Sequence, residues 1–286
     1  MSDPLITHIS DTARWVAYYR AMESARPDAI FKDPFAERLA GPQGKQIVDN
    51  MKRGRQMAWA MIVRTKLFDE TIYDAVKGKQ VDLVVNLAAG LDARPWRMDL
   101  PPNLRWVDVD LPGILDYKLD KLTGVATKCQ YEAIKVDLTD AAKRQAVFSQ
   151  LGSSAARALV VTEGLLIYLT YEQAGALAAD LHSQASFRWW AFDIAHPRLL
   201  KMMDKMWGDD VHKGSAPFLF APEDNTKYFE KYGWREISYR NQMDEARRLH
   251  RQMAGAWLWR IIGRLYPKRI QEDFKRFSGV ALLERT

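Results

Sequence analysis

The sequence predicts a three-layer α/β fold, an open and mostly parallel sheet of seven strands with helices on both faces. Three observations carry this. Between residues 81 and 195, five short apolar runs alternate with helical stretches. Asp110, Asp137 and Glu163 each fall at the predicted carboxyl end of a strand. Two more strand-like runs come late in the chain, which fits a terminal antiparallel hairpin. The chain then divides into an N-terminal helical region (1–76), an α/β core (77–195), a helical insertion (196–232) and a segment that completes the sheet (233–286). No internal repeat or low-complexity linker interrupts it.

The first region reads as three helices. Ser10-Asp11-Thr12 can cap a helix carrying Trp15, Val16, Tyr18 and Tyr19. Asp33-Pro34 opens a second, with proline at an allowed early position and Phe35 and Leu39 following. Met57 to Phe68 forms a third, on which Met57, Met61, Arg64 and Phe68 share a face. An arginine there is either a snorkelling surface residue or a guanidinium aimed into a site to hold a carboxylate.

The first strand is Val81–Leu87, where Val81, Leu83, Val84, Val85 and Leu87 make the short apolar run expected of a parallel strand covered on both faces. Ala88-Ala89-Gly90 follows, where a ligand or the next helix can approach the backbone closely. Strand two, 104–110, ends at Asp110, placed to accept hydrogen bonds from the two hydroxyls of a ribose. Pro112 follows, then a crossover helix over 114–122. Strand three, 131–136, runs into Asp137-Leu138-Thr139-Asp140. Asp137 can accept from an adenine amino group with Leu138 against the ring; Thr139 or Asp140 can instead cap the next helix. Strand four, 158–162, closes with Glu163-Gly164, and Thr170 to Gln173 has the spacing of a capping box. Strand five is 187–194.

After it, Met202 to Trp207 belongs to a helix ending at Gly208, 209–217 reads as a loop, and Pro222-Glu223-Asp224 opens a helix through Tyr228, Phe229 and Tyr232. This insertion is either a cap over the strand ends or a plain surface addition. Residues 234–239 read as a strand, 244–264 as a helix and 277–284 as the last strand.

At 286 residues, 48% apolar and 27% charged, the chain has the profile of one globular α/β domain with additions. The net charge of +6 is spread along it, and the basic runs Lys52-Arg53-Gly54-Arg55 and Lys268-Arg269 lack the glycine and aromatic pattern of an RNA-binding strand. Nucleic acid is therefore not the expected partner. Cys129 is the only cysteine, and His8, His182, His196, His212 and His250 lack metal-ligand spacing, so no metal is expected. No apolar run is long enough to span a membrane and no signal peptide opens the chain, so the expected location is cytoplasmic. Monomer and homodimer both remain open.

The first loop has no G-x-G-x-x-G, and Asp92 just after the turn would sit poorly against a pyrophosphate. A ligand with a nucleoside and an amino-acid end but no phosphate suits it better. S-adenosylmethionine (SAM) is such a ligand: carbonyls and carboxylates can meet its ammonium, and Arg64 is a candidate for its carboxylate. Walker A lysine, nucleophile elbow and HExxH patterns are absent.

The combination Ala13-Arg14, Asp33-Pro34-Phe35-Ala36, Arg64-Thr65-Lys66, Asn86-Leu87-Ala88-Ala89-Gly90-Leu91-Asp92-Ala93-Arg94, Val109-Asp110-Leu111-Pro112, Asp137-Leu138 and Thr162-Glu163-Gly164-Leu165-Leu166-Ile167-Tyr168-Leu169 resembles the leucine carboxyl methyltransferase-like family, in its bacterial SAM-dependent and natural-product O-methyltransferase branch. The resemblance covers roughly residues 10–195 and, more loosely, the rest. It implies a class I methyltransferase (Rossmann-like) fold with N-terminal helices closing the cofactor pocket. It also implies a cofactor site built from Arg64 on the SAM carboxylate, Gly90 with Asn86, Ala88 and Asp92 at the methionine end, Asp110 with Leu111 at the ribose, Asp137 and Leu138 at adenine, and Glu163 with Gly164 beside the methionine amino group or the acceptor entrance. Many relatives have glycine where this chain has Ala88, which adds one methyl group to the loop.

The expected reaction is methyl transfer to a carboxylate or hydroxyl oxygen of a small molecule. A carboxylate acceptor is already ionised and needs only a clamp, for which Tyr18, Tyr19, Arg20, Tyr168 and Arg198 are candidates. A hydroxyl needs a base, and His196, directly after strand five, is the candidate by position. Three alternatives stand beside this: a carboxyl methyltransferase acting on a protein or peptide C-terminus, an NAD(P)-dependent oxidoreductase, and a non-catalytic SAM-binding scaffold.

Overall fold

The first strand, β1 (Leu83–Leu87), is buried at every position, and so is β4 (Ala158–Thr162), its neighbour in the sheet. That is the pattern of central parallel strands sandwiched between helices. Around them stand β2 (Arg105–Asp110), β3 (Gln130–Lys135), β5 (Phe187–Ala195), β6 (Trp234–Asn241) and β7 (Ser278–Arg285), in the order β3-β2-β1-β4-β5-β7-β6. β1 to β5 run parallel, and β7 is antiparallel to both β5 and β6. The computed structural model describes residues 11–213, 217–253, 255 and 274–286, and of 207–213 the backbone only.

The helices are α1 (Asp11–Ser24), α2 (Ala36–Asn50), α3 (Gly54–Gly78), α4 (Arg94–Arg97), α5 (Pro112–Lys121), α6 (Ala141–Ser153), α7 (Tyr171–His182), α8 (Pro197–Lys213) and α9 (Gln242–Arg248). Strand alternation splits the core into two layers. Leu83, Val85 and Leu87 face Phe148 of α6 and Leu177 of α7, while Val84 faces Val63, Leu67 and Phe68 of α3. Helix α3 is therefore part of the sheet's own sandwich, and it carries the Arg64 face toward the strand ends. Helices α1 and α2 pack on each other so closely that a Cβ on Gly44 would lie 2.6 Å from the Arg14 carbonyl oxygen, so the crossing requires glycine.

The seven strands and the antiparallel pair agree with expectation to within a residue or two. The capping box of α7 is complete, with Gln173 N–H donating to Thr170 Oγ1 and Thr170 N–H to Gln173 Oε1. Several helix bounds need correction. The second helix starts at Ala36, not at Asp33-Pro34, because the Asp33 carboxylate is committed to Arg20 at 2.8 Å as well as to the Phe35 amide. Helix α8 does not end at Gly208 but runs to Lys213. Residues 225–232 form a 3-10 helix rather than an α-helix. The expected helix over 244–264 begins at Gln242, capped by Asn241, and ends at Arg248; Trp257, Trp259, Ile261 and Ile262 lie outside the described residues, as do Ser10, His8 and Lys268-Arg269.

Beneath the strand ends, Asp108 of β2 is fully buried. It accepts hydrogen bonds from Lys118 Nζ (2.6 Å), Asn86 Nδ2 (2.9 Å), Trp106 Nε1 (2.9 Å) and Tyr131 Oη (2.9 Å). Lys118 is equally buried, so removing the carboxylate would strand an ammonium inside the protein. Asp108→Ala is expected to destabilise the fold by about 3–5 kcal/mol, measured by urea unfolding followed through tryptophan fluorescence.

Candidate active site at the carboxyl ends of the strands

The strand order reverses between β1 and β4, and in an open α/β sheet the ligand crevice opens outside the carboxyl ends at that point. A cavity of about 1010 Å³ lies there. Its floor is the loop after β1 (Ala88 to Asp92), the turn after β4 (Glu163 and Gly164) and Asp193 of β5. Arg64 of α3 and Tyr168 border it, and α8 adds Arg198, Leu199, Met202, Met203 and Met206 to its lining.

The floor is held by charge. Arg94 is 2% exposed and reaches Asp69 at 2.7 Å, Asp92 at 2.8 Å and Glu163 at 2.8 Å. Arg64 pairs with Glu163 and with Asp193, each at 3.2 Å. Arg97 joins Asp69 at 2.6 Å and lies 3.8 Å from Asp33, which Arg20 holds. Burial alone would raise Asp92, but the Arg94 and Arg97 guanidiniums outweigh it and hold the carboxyl at about 2. Burial would likewise lower Arg64, and Asp193 and Glu163 reverse that and raise it. Burial raises Tyr168 against the opposing field of Arg64, so its hydroxyl stays protonated.

The network contains Asp33, Asp69, Asp92, Glu163 and Asp193 against Arg20, Arg64, Arg94 and Arg97, one negative charge in excess among the described residues. Where this network borders the cavity it offers both signs, Asp92, Glu163 and Asp193 beside Arg64, as the ammonium and the carboxylate of S-adenosylmethionine would require. Ala88 and Gly90 both adopt left-handed φ, 51° and 50°, which costs glycine little but strains alanine by about 1–2 kcal/mol. The Ala88 methyl is accommodated in that conformation.

Of the residues singled out in the sequence, Arg64, Asn86, Ala88, Gly90, Asp92, Glu163, Gly164, Tyr19, Arg20, Tyr168 and Arg198 border the cavity. Asp110, Leu111, Asp137, Leu138, Tyr18 and His196 do not. Asp110 accepts from the Gly90 amide (2.6 Å) and the Leu111 amide (2.7 Å), which keeps it beside the first loop with lone pairs left over. Asp137 is exposed and accepts from the Thr139 amide and hydroxyl, while Asp140 caps α6. Tyr19 donates to the Gly54 carbonyl at 2.6 Å, and Arg20 is occupied by Asp33 and the Leu91 carbonyl. The His196 ring stacks on Phe277, and its Nδ1 accepts from the Arg198 amide.

Sequence reading passed over Arg94, Asp69, Arg97 and Asp193 as site residues. Asp193 had a usable signal, a carboxylate inside the apolar run of β5. Asp69 and Arg97 had none, because only folding brings α3 against α4.

Folded Asp92 ionises at about 2, below the ordinary 3.8. The unfolded chain therefore takes up this proton first as pH drops. The stabilisation is whole above about pH 4 and is lost as pH falls toward 2, on the order of 2 kcal/mol. Urea midpoints measured from pH 5 to 2 should fall for the wild type and fall less steeply for Asp92→Asn.

Comparison with known proteins agrees with this geometry. Residues 13–182 match the Leucine carboxyl methyltransferase family. A Frankia alni protein named "Putative S-adenosyl-L-methionine-dependent methyltransferase" is 34% identical over 248 residues, covering 80% of this chain and 83% of its own length. A Streptomyces avermitilis protein of the same name is 28% identical over 247 residues, with the same coverage, and one from Streptomyces coelicolor is 33% identical over 189 residues, 61% of this chain and 65% of that protein. Among solved structures, a DUF574 family protein from Streptomyces avermitilis superposes with a TM-score of 0.60 at 11% identity, covering 96% of this chain and 97% of its own. A protein from Thermobifida fusca, titled a putative methyltransferase, gives 0.60 at 11% identity over 99% of this chain and 97% of its own. The chain belongs to the leucine carboxyl methyltransferase family, and with it to the SAM-dependent methyltransferases of class I fold.

Proposed function

We propose that this methyltransferase acts on an oxygen of a small, largely apolar molecule, and that the oxygen belongs to a carboxylate. The observation that supports this most is the division of the cavity. Its floor is charged, and the side formed by α8, Met57, Met61 and Phe218 is sulfur-rich and aromatic. Such a lining suits an adaptable apolar acceptor body.

SAM would supply an electrophilic methyl on a sulfonium. On this reading Arg64 holds the methionine carboxylate, Glu163 faces the ammonium, Gly90 and Asp92 line the methionine end, and Asp110 receives the ribose at the rim of the first loop. Asp137 and Leu138 flank adenine beyond it. In-line displacement needs alignment and exclusion of water, which α8 and the N-terminal helices provide by closing over the crevice.

The acids that border the cavity favour a carboxylate acceptor. Asp92, Glu163 and Asp193 are all paired with arginine, and Asp244 lies 3.6 Å from Arg247. Asp92, held at about 2 by the Arg94 and Arg97 guanidiniums, is a weak base, and Glu163 and Asp193 have their oxygens engaged by Arg64, Arg94 and the Gly164 amide, so deprotonating an alcohol would find little help there. An acceptor already ionised needs none. Tyr168, kept protonated, can donate a hydrogen bond to one acceptor oxygen, and Arg198 of α8 can balance its charge. The family description, which names a carboxyl group, points the same way.

Calorimetric titration should show SAM binding, weakened about 10- to 100-fold by Arg64→Ala and by Asp110→Ala. In a panel of apolar carboxylic acids and matched alcohols, methylation followed by mass spectrometry should favour the acids. Equal turnover of alcohols, with a rate rising through neutral pH, would instead assign a general base.

A further inference from the structure

We propose that Asp193 is the positioning residue of the donor site: it holds Arg64 and the turn after β4 in the one arrangement that receives an amino-acid end. The role rests on the reading of the crevice as the SAM site.

Asp193 lies on β5 between buried Phe192 and Ile194, and its carboxylate borders the cavity. Its two oxygens have separate tasks. Oδ1 accepts from the Gly164 amide at 2.6 Å, and Oδ2 pairs with Arg64 Nη1 at 3.2 Å. Gly164 adopts φ +69°, and a Cβ built there would stand 3.1 Å from Arg64 Nη1 and 3.3 Å from Nη2. The guanidinium therefore lies flat against a turn that only glycine leaves open. Because Glu163 directly precedes Gly164, fixing the Gly164 amide also fixes the carboxylate that holds Arg64 Nε at 3.2 Å.

With Nε on Glu163 and Nη1 on Asp193, the guanidinium has two of its nitrogens taken from the sheet side. Among the described residues no protein acceptor takes Nη2, so its N–H groups are presented for a ligand carboxylate. Without Asp193, the long Arg64 side chain regains rotamer freedom and the turn loses an amide anchor. The loss falls on the amino-acid end of a ligand and spares its nucleoside end.

The test separates those ends. Wild type, Asp193→Asn and Gly164→Ala are titrated calorimetrically with S-adenosylhomocysteine and with 5′-methylthioadenosine, which keeps the nucleoside and thioether but lacks the amino-acid end. Asp193→Asn is expected to weaken S-adenosylhomocysteine about 10- to 100-fold and to leave methylthioadenosine within about twofold, with KM for SAM raised and kcat largely kept. Gly164→Ala, which crowds the same guanidinium from the other side, should show the same selective loss and serves if the first variant does not fold. Wild-type affinity for S-adenosylhomocysteine in Asp193→Asn, or an equal loss for both ligands, overturns the role. If wild-type protein binds neither ligand, the SAM reading itself fails and this role falls with it.

Discussion

Arg94 sits almost entirely out of water with three carboxylates around it: Asp69 from α3, Asp92 from the loop after β1, and Glu163 from the turn after β4. Burying one charge is costly, and burying four is tolerable only if each is paired in good geometry. The arrangement therefore acts as a constraint on position. Helix α3, the first loop and the β4 turn are obliged to meet at one guanidinium, and the crevice is the space their meeting leaves. Its walls are apolar and adaptable, but its floor has little freedom.

That floor also explains why the N-terminal helices are not an appendage. Helix α3 contributes Val63, Leu67 and Phe68 to one face of the sheet and Asp69 and Arg64 to its open end. Helix α1 adds Arg20, whose guanidinium joins Asp33 to the Leu91 carbonyl and so ties the first loop from above. Apolar burial supplies the attraction, while the ion pairs join α1 and α3 to the first loop and the β4 turn.

The strands were legible because their signals are local. Short apolar runs mark β1 and β4, and each acidic strand end is read directly from the residue at or just after the end of a run. Arg64 was legible because helical spacing put it among methionines that face inward. Arg94 was visible only as a letter in a motif, since its role depends on Asp69 and Glu163, both distant in sequence. The helix ends were read least well. Asp33 reads as the start of α2, yet the helix begins at Ala36 with Arg20 and the Phe35 amide both on the Asp33 carboxylate, and residues 225–232 form a 3-10 helix with Phe229 packed on Trp190. The apolar wall of the cavity stayed illegible in detail because methionine and aromatic side chains describe a surface that adapts, whereas ion pairs describe a fixed one.

The strand order has a consequence for how the chain reaches its native form. β7 lies between β5 and β6, so β5 keeps a bare edge until residues 278–285 arrive, and β6 has no place in the sheet before then. That edge carries Trp189, Trp190 and Phe192 in unbroken succession around a single alanine. While the later segment is missing, the protein presents an aromatic, hydrogen-bonding strand to any neighbour able to pair with it. Pairing with β7 covers that edge and gives β6 its place in the sheet.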